Sequence, residues 1–147
     1  MKFEYSKTDG LSIFKGIRTR DAVRKRIGVG YKTYAKTEFS ENSTDVFGES
    51  MIKIWYSAND EIEGVQLYHP EAQFFYHEKQ LLGIQTKELN LFFAALKQSL
   101  VLESDGTGFN ARNNAIRFYV PELDELEESA KIECVYLEIP QLTMHAN

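Results

Sequence analysis

Gly16-Ile17-Arg18-Thr19-Arg20-Asp21 recurs later in the chain as Gly83-Ile84-Gln85-Thr86-Lys87-Glu88. Each copy places a turn-permissive Gly, an apolar residue, a Thr able to cap a helix, and then an acidic residue where the helix dipole favours it. Both copies therefore read as helix starts. Downstream, Ile62-Glu63-Gly64-Val65-Gln66-Leu67 runs to His69-Pro70, and Ile132-Glu133-Cys134-Val135-Tyr136-Leu137 runs to Ile139-Pro140. Between helix and closing strand each half carries a β-rich run, Ile52-Lys53-Ile54-Trp55-Tyr56 and Ile116-Arg117-Phe118-Tyr119-Val120. An internal repeat of this kind decides the architecture before any single element does.

Working outward, the first helix is predicted from Arg20 to Ile27, ending at Gly28, a residue suited to the left-handed conformation beyond a helix terminus. The second is predicted from Lys87 to Gln98, with Leu89, Phe92, Phe93 and Leu96 on one face at intervals of three and four. That stripe reads as core. Ser57-Ala58-Asn59-Asp60-Glu61 is a hairpin loop between two strand-like runs, Gln73-Phe74-Phe75-Tyr76-His77 is a strand entering the second copy, and Ser104-Asp105-Gly106-Thr107-Gly108 is a turn. The connection Pro121 to Ser129 is longer and acidic, which is where the second copy departs from the first.

These elements predict an α+β protein. A tandem β-α-β-β-β repeat would form one continuous antiparallel sheet with two helices packed on one face. With 147 residues, a 43% hydrophobic composition and no Gly/Ser linker, the expectation is a single domain, 1–147, built of two related halves at about 1–70 and 71–147. A disordered or collagen-like chain is excluded by that composition. MKFEYSKTDG offers no apolar stretch for a signal peptide, no run approaches a membrane span, and the single Cys134 fits a reducing cytoplasm.

Catalytic chemistry finds little to stand on. His69, His77 and His145 are far apart and lack the company that zinc ligation needs, so neither a metal nor a cofactor is expected. Cys134 alternates with Ile132 and Tyr136 and reads as a buried structural thiol. Asp105-Gly106-Thr107-Gly108 lacks the Lys-Ser/Thr ending of a phosphate-binding loop. The expectation is a protein that is not an enzyme.

Charge carries more. The chain has net charge −5, yet residues 1–36 hold ten Lys and Arg against three acids, a net of +7 that leaves −12 for the remainder. Arg18, Arg20, Arg24, Lys25 and Arg26 read as a solvated helix face in preference to a nucleic-acid surface. Glu122, Asp124, Glu125, Glu127 and Glu128 read either as a solubilising loop or as a docking surface for a basic protein. Tyr31, Tyr34, Trp55, Tyr56 and Tyr68 are candidate aromatic anchors for such a contact.

Thr44-Asp45-Val46-Phe47-Gly48, the strand through Tyr56, Asn59-Asp60-Glu61, Glu63 to Tyr68, Gly83-Ile84 and Asp105-Gly106-Thr107-Gly108-Phe109 together resemble a family of small bacterial immunity proteins. Such proteins accompany the toxins of contact-dependent inhibition and polymorphic toxin systems. The tandem α+β repeat is similar in arrangement to β-lactamase inhibitor protein and, as a single unit, to a small outer-membrane assembly lipoprotein, although no lipobox cysteine stands near the start. What the resemblance implies is a cytoplasmic protein that binds a cognate toxin stoichiometrically, with neither nucleic acid nor membrane as a partner and with a basic nuclease domain as the expected toxin. No catalytic residues are carried over. Partner-binding candidates are Glu122, Asp124, Glu125, Glu127 and Glu128 with Glu61 and Trp55. Two other classes stay open: a small-ligand module with a pocket between helices and sheet near Phe74, Tyr76, Phe92 or Trp55, and an enzyme with an unrecognised acid pair.

Overall fold

The computed structural model describes residues 1–113 and 115–139; Pro140 and His145, both named above, lie outside them. In chain order the strands are β1 (Lys2–Ser6), β2 (Gly10–Leu11), β3 (Tyr31–Tyr34), β4 (Thr44–Phe47), β5 (Ile52–Tyr56), β6 (Ile62–Tyr68), β7 (Gln73–Tyr76), β8 (Lys79–Gln80), β9 (Leu100–Leu102), β10 (Gly108–Ala111), β11 (Ile116–Tyr119) and β12 (Cys134–Glu138). Helix α1 (Arg20–Ile27) follows β2, α2 (Thr86–Ala95) follows β8, and the short α3 (Leu123–Leu126) lies between β11 and β12. The fold is mixed α+β and mostly antiparallel sheet.

Strands pair into two sheets instead of the single one expected. The larger has the order β3-β4-β5-β6-β12-β11-β10-β9, antiparallel throughout, and the smaller has the order β2-β1-β7-β8 with β1 and β7 parallel. The smaller sheet exists because the two strands preceding the helices pair with each other, Phe3 beside Phe74 and Tyr5 beside Tyr76. Aromatic contacts then tie it to its neighbours: Phe74 lies edge-on to Phe118 of β11 at 6.4 Å, and Tyr76 stacks on Phe93 of α2 at 5.9 Å.

Residues paired across antiparallel strands point to the same side of a sheet. One side of the large sheet carries the row Tyr31, Phe47, Ile52, Leu67, Val135, Phe118, Phe109, Leu102, and beside it Thr33, Asp45, Ile54, Val65, Leu137, Ile116, Ala111, Leu100. All but the edge residues of these rows are buried. Helix α1 contributes Val23 and Ile27 to this core and α2 contributes Leu89 and Phe93, each pair four residues apart and so on one helix face. Phe92 and Leu96 of the predicted stripe are only partly buried and pack at its margin.

Helix α1 begins and ends where the sequence predicts. Thr19 Oγ1 accepts from the Ala22 amide, and Gly28 takes φ 73°, closing onto the Arg24 carbonyl. The second helix start is shifted. Gln85 occupies the cap position with no side-chain bond, because both the amide and the hydroxyl of Thr86 donate to the Ala130 carbonyl, at 2.8 and 2.9 Å. The acidic connection, expected as plain loop, winds into α3 and a 3₁₀ turn at Glu127–Ser129.

Truncating Phe93, 1% exposed, to Ala is expected to cost about 3–5 kcal/mol of stability, whereas Leu91→Ala, at a site 64% exposed, changes it by less than about 0.5 kcal/mol. Urea unfolding of the two variants measures the difference.

Candidate functional site

Because side chains alternate along a strand, the residues between those core rows face the other way. A complete row crosses all eight strands: Lys32, Val46, Lys53, Gln66, Tyr136, Arg117, Asn110 and Val101. Flanking it run Trp55, Gly64 and Glu138 on one side, and Tyr68, Cys134, Tyr119 and Gly108 on the other. Among the described residues no element packs on this face. Tyr119, Val101, Lys32 and Arg117 are exposed, and Trp55, Tyr68 and Tyr136 are half-buried.

The rings on this open face are held in place. Lys53 Nζ sits 4.4 Å from the centre of the Trp55 ring, and the Arg117 guanidinium lies 6.0 Å from that of Tyr136. The negative faces of the rings attract these cations. Tyr68 donates its hydroxyl to Gln66 Oε1 at 3.0 Å. Tyr136 lies across Gly64, where a Cβ would collide with its hydroxyl oxygen and ring, so the glycine is what makes room for the ring. Cys134, buried between Tyr68 and Tyr119 in its row, has its thiol pushed up to about 12 by burial and then by the charge of Glu133. Burial likewise holds Tyr68 up at about 12, with Cys134 and Glu133 adding to it. Both stay neutral at physiological pH. A cavity of about 820 Å³ opens here, lined by Tyr68, Glu103, Asp105, Arg117, Tyr119, Glu133, Cys134 and Tyr136 among others.

The seven partner-binding candidates do not come together. Glu122, Asp124, Glu125, Glu127 and Glu128 are all exposed on the α3 connection, which leads to Cys134, opposite Tyr68 at the end of β6. Glu61 and Trp55 stand at the other end of that strand, roughly 20 Å away at about 3.3 Å per residue. Glu61 is held by Arg18 in an ion pair of 2.9 Å. Near Trp55 the carboxyl of Glu63 is pushed up, first by burial and then by the charges of Glu41 and Glu138. Alternation along β11 and β12 is the signal that places Tyr119 and Tyr136 on the open face with Tyr68. Of the other aromatic candidates, Tyr31 and Tyr34 lie on edge strand β3, and Tyr56 is buried in the core. Phe74 and Tyr76 are buried in the ring cluster between helix and sheet, and the 820 Å³ cavity opens on the opposite side of the sheet.

On the covered face, one polar cluster interrupts the apolar rows. Arg20 and Arg24, expected as part of a solvated helix face, turn inward to the fully buried Asp45 of β4. Arg24 grips it through two bonds, Nε to Oδ2 at 2.8 Å and Nη2 to Oδ1 at 3.0 Å, while Thr33 donates to Oδ1 at 2.8 Å and Tyr56 to Oδ2 at 3.0 Å. Arg20 Nε is 3.5 Å from Oδ2, and its guanidinium stacks 4.0 Å above the Tyr56 ring. Burial opposes the charge on Asp45, but the bonds from Arg24, Thr33 and Tyr56 and the charge of Arg20 outweigh it, so its carboxyl lies below the ordinary carboxylate range. Burial and the neighbouring carboxylate raise the Tyr56 hydroxyl well above its usual value.

Among the described residues no group of three or more His, Cys, Asp and Glu side chains is arranged to hold a metal ion, and no helix is long and apolar enough to cross a membrane. Comparison with protein-family models, with curated proteins and with solved structures finds no match for the chain.

Asp45 titrates lower folded than unfolded, so its stabilising contribution is complete above about pH 4 and is lost as pH falls through the folded value. Asp45→Ala strands two arginines and is expected to cost on the order of 3 kcal/mol at neutral pH. Acid unfolding followed by circular dichroism checks the sign: the Asp45→Asn protein should lose less stability than the parent between about pH 5 and pH 2.

Proposed function

We propose that this chain is a toxin-neutralising protein of the immunity type: it binds one cognate bacterial toxin domain through the open face of its large sheet and occludes the toxin's active site or its access to a target. The observation that carries this reading is the uncovered face crossing eight strands and bearing Trp55, Tyr68, Tyr119 and Tyr136 among Lys53, Gln66 and Arg117. Aromatic and arginine side chains are what the centres of protein interfaces are enriched in. Seven strand spacings of about 4.8 Å by five residues give a flat area of roughly 550 Å². Loops at its two ends bring this towards the ~800 Å² per partner of a standard interface.

The chemistry of this reading is binding, without a cofactor or metal and without bond making or breaking. The partner is a protein, not a nucleic acid or a membrane, and the site of action is the cytoplasm. The exposed carboxylates from Glu122 to Glu128 complement a basic surface, such as that of a nuclease toxin, and speed its encounter. A second reading, a small-ligand module, is favoured by the 820 Å³ cavity alone. A metabolite that raises the melting temperature would support that second reading.

Duplication of one unit accounts for the scaffold in this proposal. Supporting it, the amide of Ile62 bonds to the carbonyl of Arg18 at the first helix start and that of Ile132 to Ile84 at the second, one residue before the Gln85 that the sequence repeat aligns with Arg18. Val23 and Ile27 correspond to Leu89 and Phe93, Phe3 and Tyr5 to Phe74 and Tyr76, and Ile52 and Leu67 to Ile116 and Leu137.

The test is calorimetric titration with the toxin domain encoded beside the gene, together with rescue of growth in cells expressing that toxin. One-to-one binding is expected, and Trp55→Ala or Tyr136→Ala should weaken it by about thirtyfold or more. Replacing all five carboxylates of the α3 connection by amides should slow association and flatten its dependence on salt. Full affinity in both aromatic variants would sink the docking-face reading.

A further inference from the structure

The large sheet ends in two free edges, β3 and β9, and the small one in β2 and β8. Unpaired strand edges invite further strands, and proteins guard them with charge or by keeping them short. Three of these four are guarded: β2 and β8 are two residues long, the latter with Lys79, and β3 carries Lys32. Strand β9 is not. Its residues Leu100, Val101 and Leu102 hold no charge, no proline and no bulge, and Val101 and Leu102 are 52% and 57% exposed.

The direction of the backbone groups along β9 is fixed by one bond, from the Glu103 amide to the Gly108 carbonyl at 2.8 Å. Alternation turns the amide and carbonyl of Val101 towards β10 as well, and those of Leu100 and Leu102 outward. The edge therefore presents two amides and two carbonyls, and among the described residues no other element bonds to them.

We propose that β9 is a self-association edge, pairing antiparallel with β9 of a second copy of this chain about a two-fold axis at Val101. In that register Leu100 lies opposite Leu102 of the second copy, and the outward groups meet in four hydrogen bonds. Because Leu-Val-Leu reads alike from either end, every apolar residue meets another. The same register carries Lys97 towards Asp105 of the second copy and Asp105 towards its Lys97, two attractive pairs at the ends of the contact. On the covered side, Phe109 and Leu102 run on into Leu100 and Ala111 of the second copy, so the core rows of the two sheets join. Five paired residues make an edge about 17 Å long and about 10 Å thick, roughly 170 Å² per copy against the ~800 Å² of a standard interface, so the dimer is a weak one. Edgewise pairing leaves the open face clear, and the proposal stands whether or not that face binds a toxin.

Sedimentation equilibrium of the intact chain between about 10 μM and 1 mM measures this, and a dimer with Kd on the order of 100 μM is expected. Val101→Lys, at an exposed position, sets two like charges opposite each other and should weaken the dimer more than tenfold while keeping the parent melting temperature. Leu102→Pro removes one outward amide without touching the β10 ladder and should weaken it by a similar factor. Cross-linking in an oxidised glutathione buffer reads the register. Val101→Cys should join two copies, since non-hydrogen-bonded pairs stand about 4.5 Å apart at Cα, within the reach of a disulfide. Ser99→Cys, which faces Glu103 of the second copy in this register, should not. A monomer at 1 mM, a dimer that both Val101→Lys and Leu102→Pro leave intact, cross-linking of Ser99→Cys as readily as of Val101→Cys, or growth past dimers by pairing of β9 with β3 would overturn the proposal.

Discussion

Gly64 to Tyr68 meet Cys134 to Glu138 in an antiparallel seam of five residue pairs, centred on Gln66 opposite Tyr136. Everything that distinguishes this molecule follows from that junction. Without it, residues 31–68 and 100–138 would form two four-stranded sheets, each with an open backbone edge and half a core. With it, Val65 and Leu67 pack beside Leu137 and Val135 at zero exposure, and the two covered-face rows become continuous. The seam also joins the open face into a single platform, since Gln66 and Tyr136 are the middle members of its central row.

The polar cluster on Asp45 shows how the two halves differ. Counting outward from the seam along the covered face, Asp45 of β4 occupies the place that Phe109 holds in β10, and Tyr56 that of Val120. An apolar side chain evidently suffices for packing at that place. Buried ion pairs often contribute less to stability than well-packed hydrophobic groups of similar volume, so the cluster is better understood as a constraint on geometry. Two arginines from α1 converge on one carboxylate, which fixes how the helix sits over β3, β4 and β5; α2, lacking such a clasp, is held by Phe93 packing on Tyr76 and Phe118.

Much of this was legible in the sequence, because local signals were strong where they decided local structure. Thr19 and Gly28 bracket α1 at its actual ends, and the Ile-rich runs became β5, β6, β11 and β12. Long-range pairing was less legible. Nothing in Lys2-Phe3-Glu4-Tyr5 taken alone says that it pairs with Gln73-Phe74-Phe75-Tyr76 in a separate sheet, although the two stretches match in register. Tyr31 to Tyr34 is too short and too exposed to announce an edge strand. The arginines of α1 read as solvated from the sequence because their partner, Asp45, is remote in it, and a charge gives no sign of direction until its counter-charge is placed. For the same reason, the acidic connection and Trp55 looked like one surface until the strand register put them at opposite ends of β6.

The open face is separable from the core that supports it, and the period of a strand is the reason. Along β6, Val65 and Leu67 point into the core while Gly64, Gln66 and Tyr68 point away; along β12, Val135 and Leu137 alternate in the same way with Cys134 and Tyr136. A substitution at one of the outward positions leaves every contact of the inward rows in place, so the open face can vary without changing the fold. Gly64 is the exception, since a side chain there would meet the Tyr136 ring. Gly108 is another, because a Cβ would collide with the Phe118 carbonyl oxygen and the strand itself would have to move. The two glycines therefore fix the relief of the face, Gly64 giving Tyr136 its seat and Gly108 letting its strand lie against the Phe118 carbonyl, while the side chains around them can vary without disturbing either.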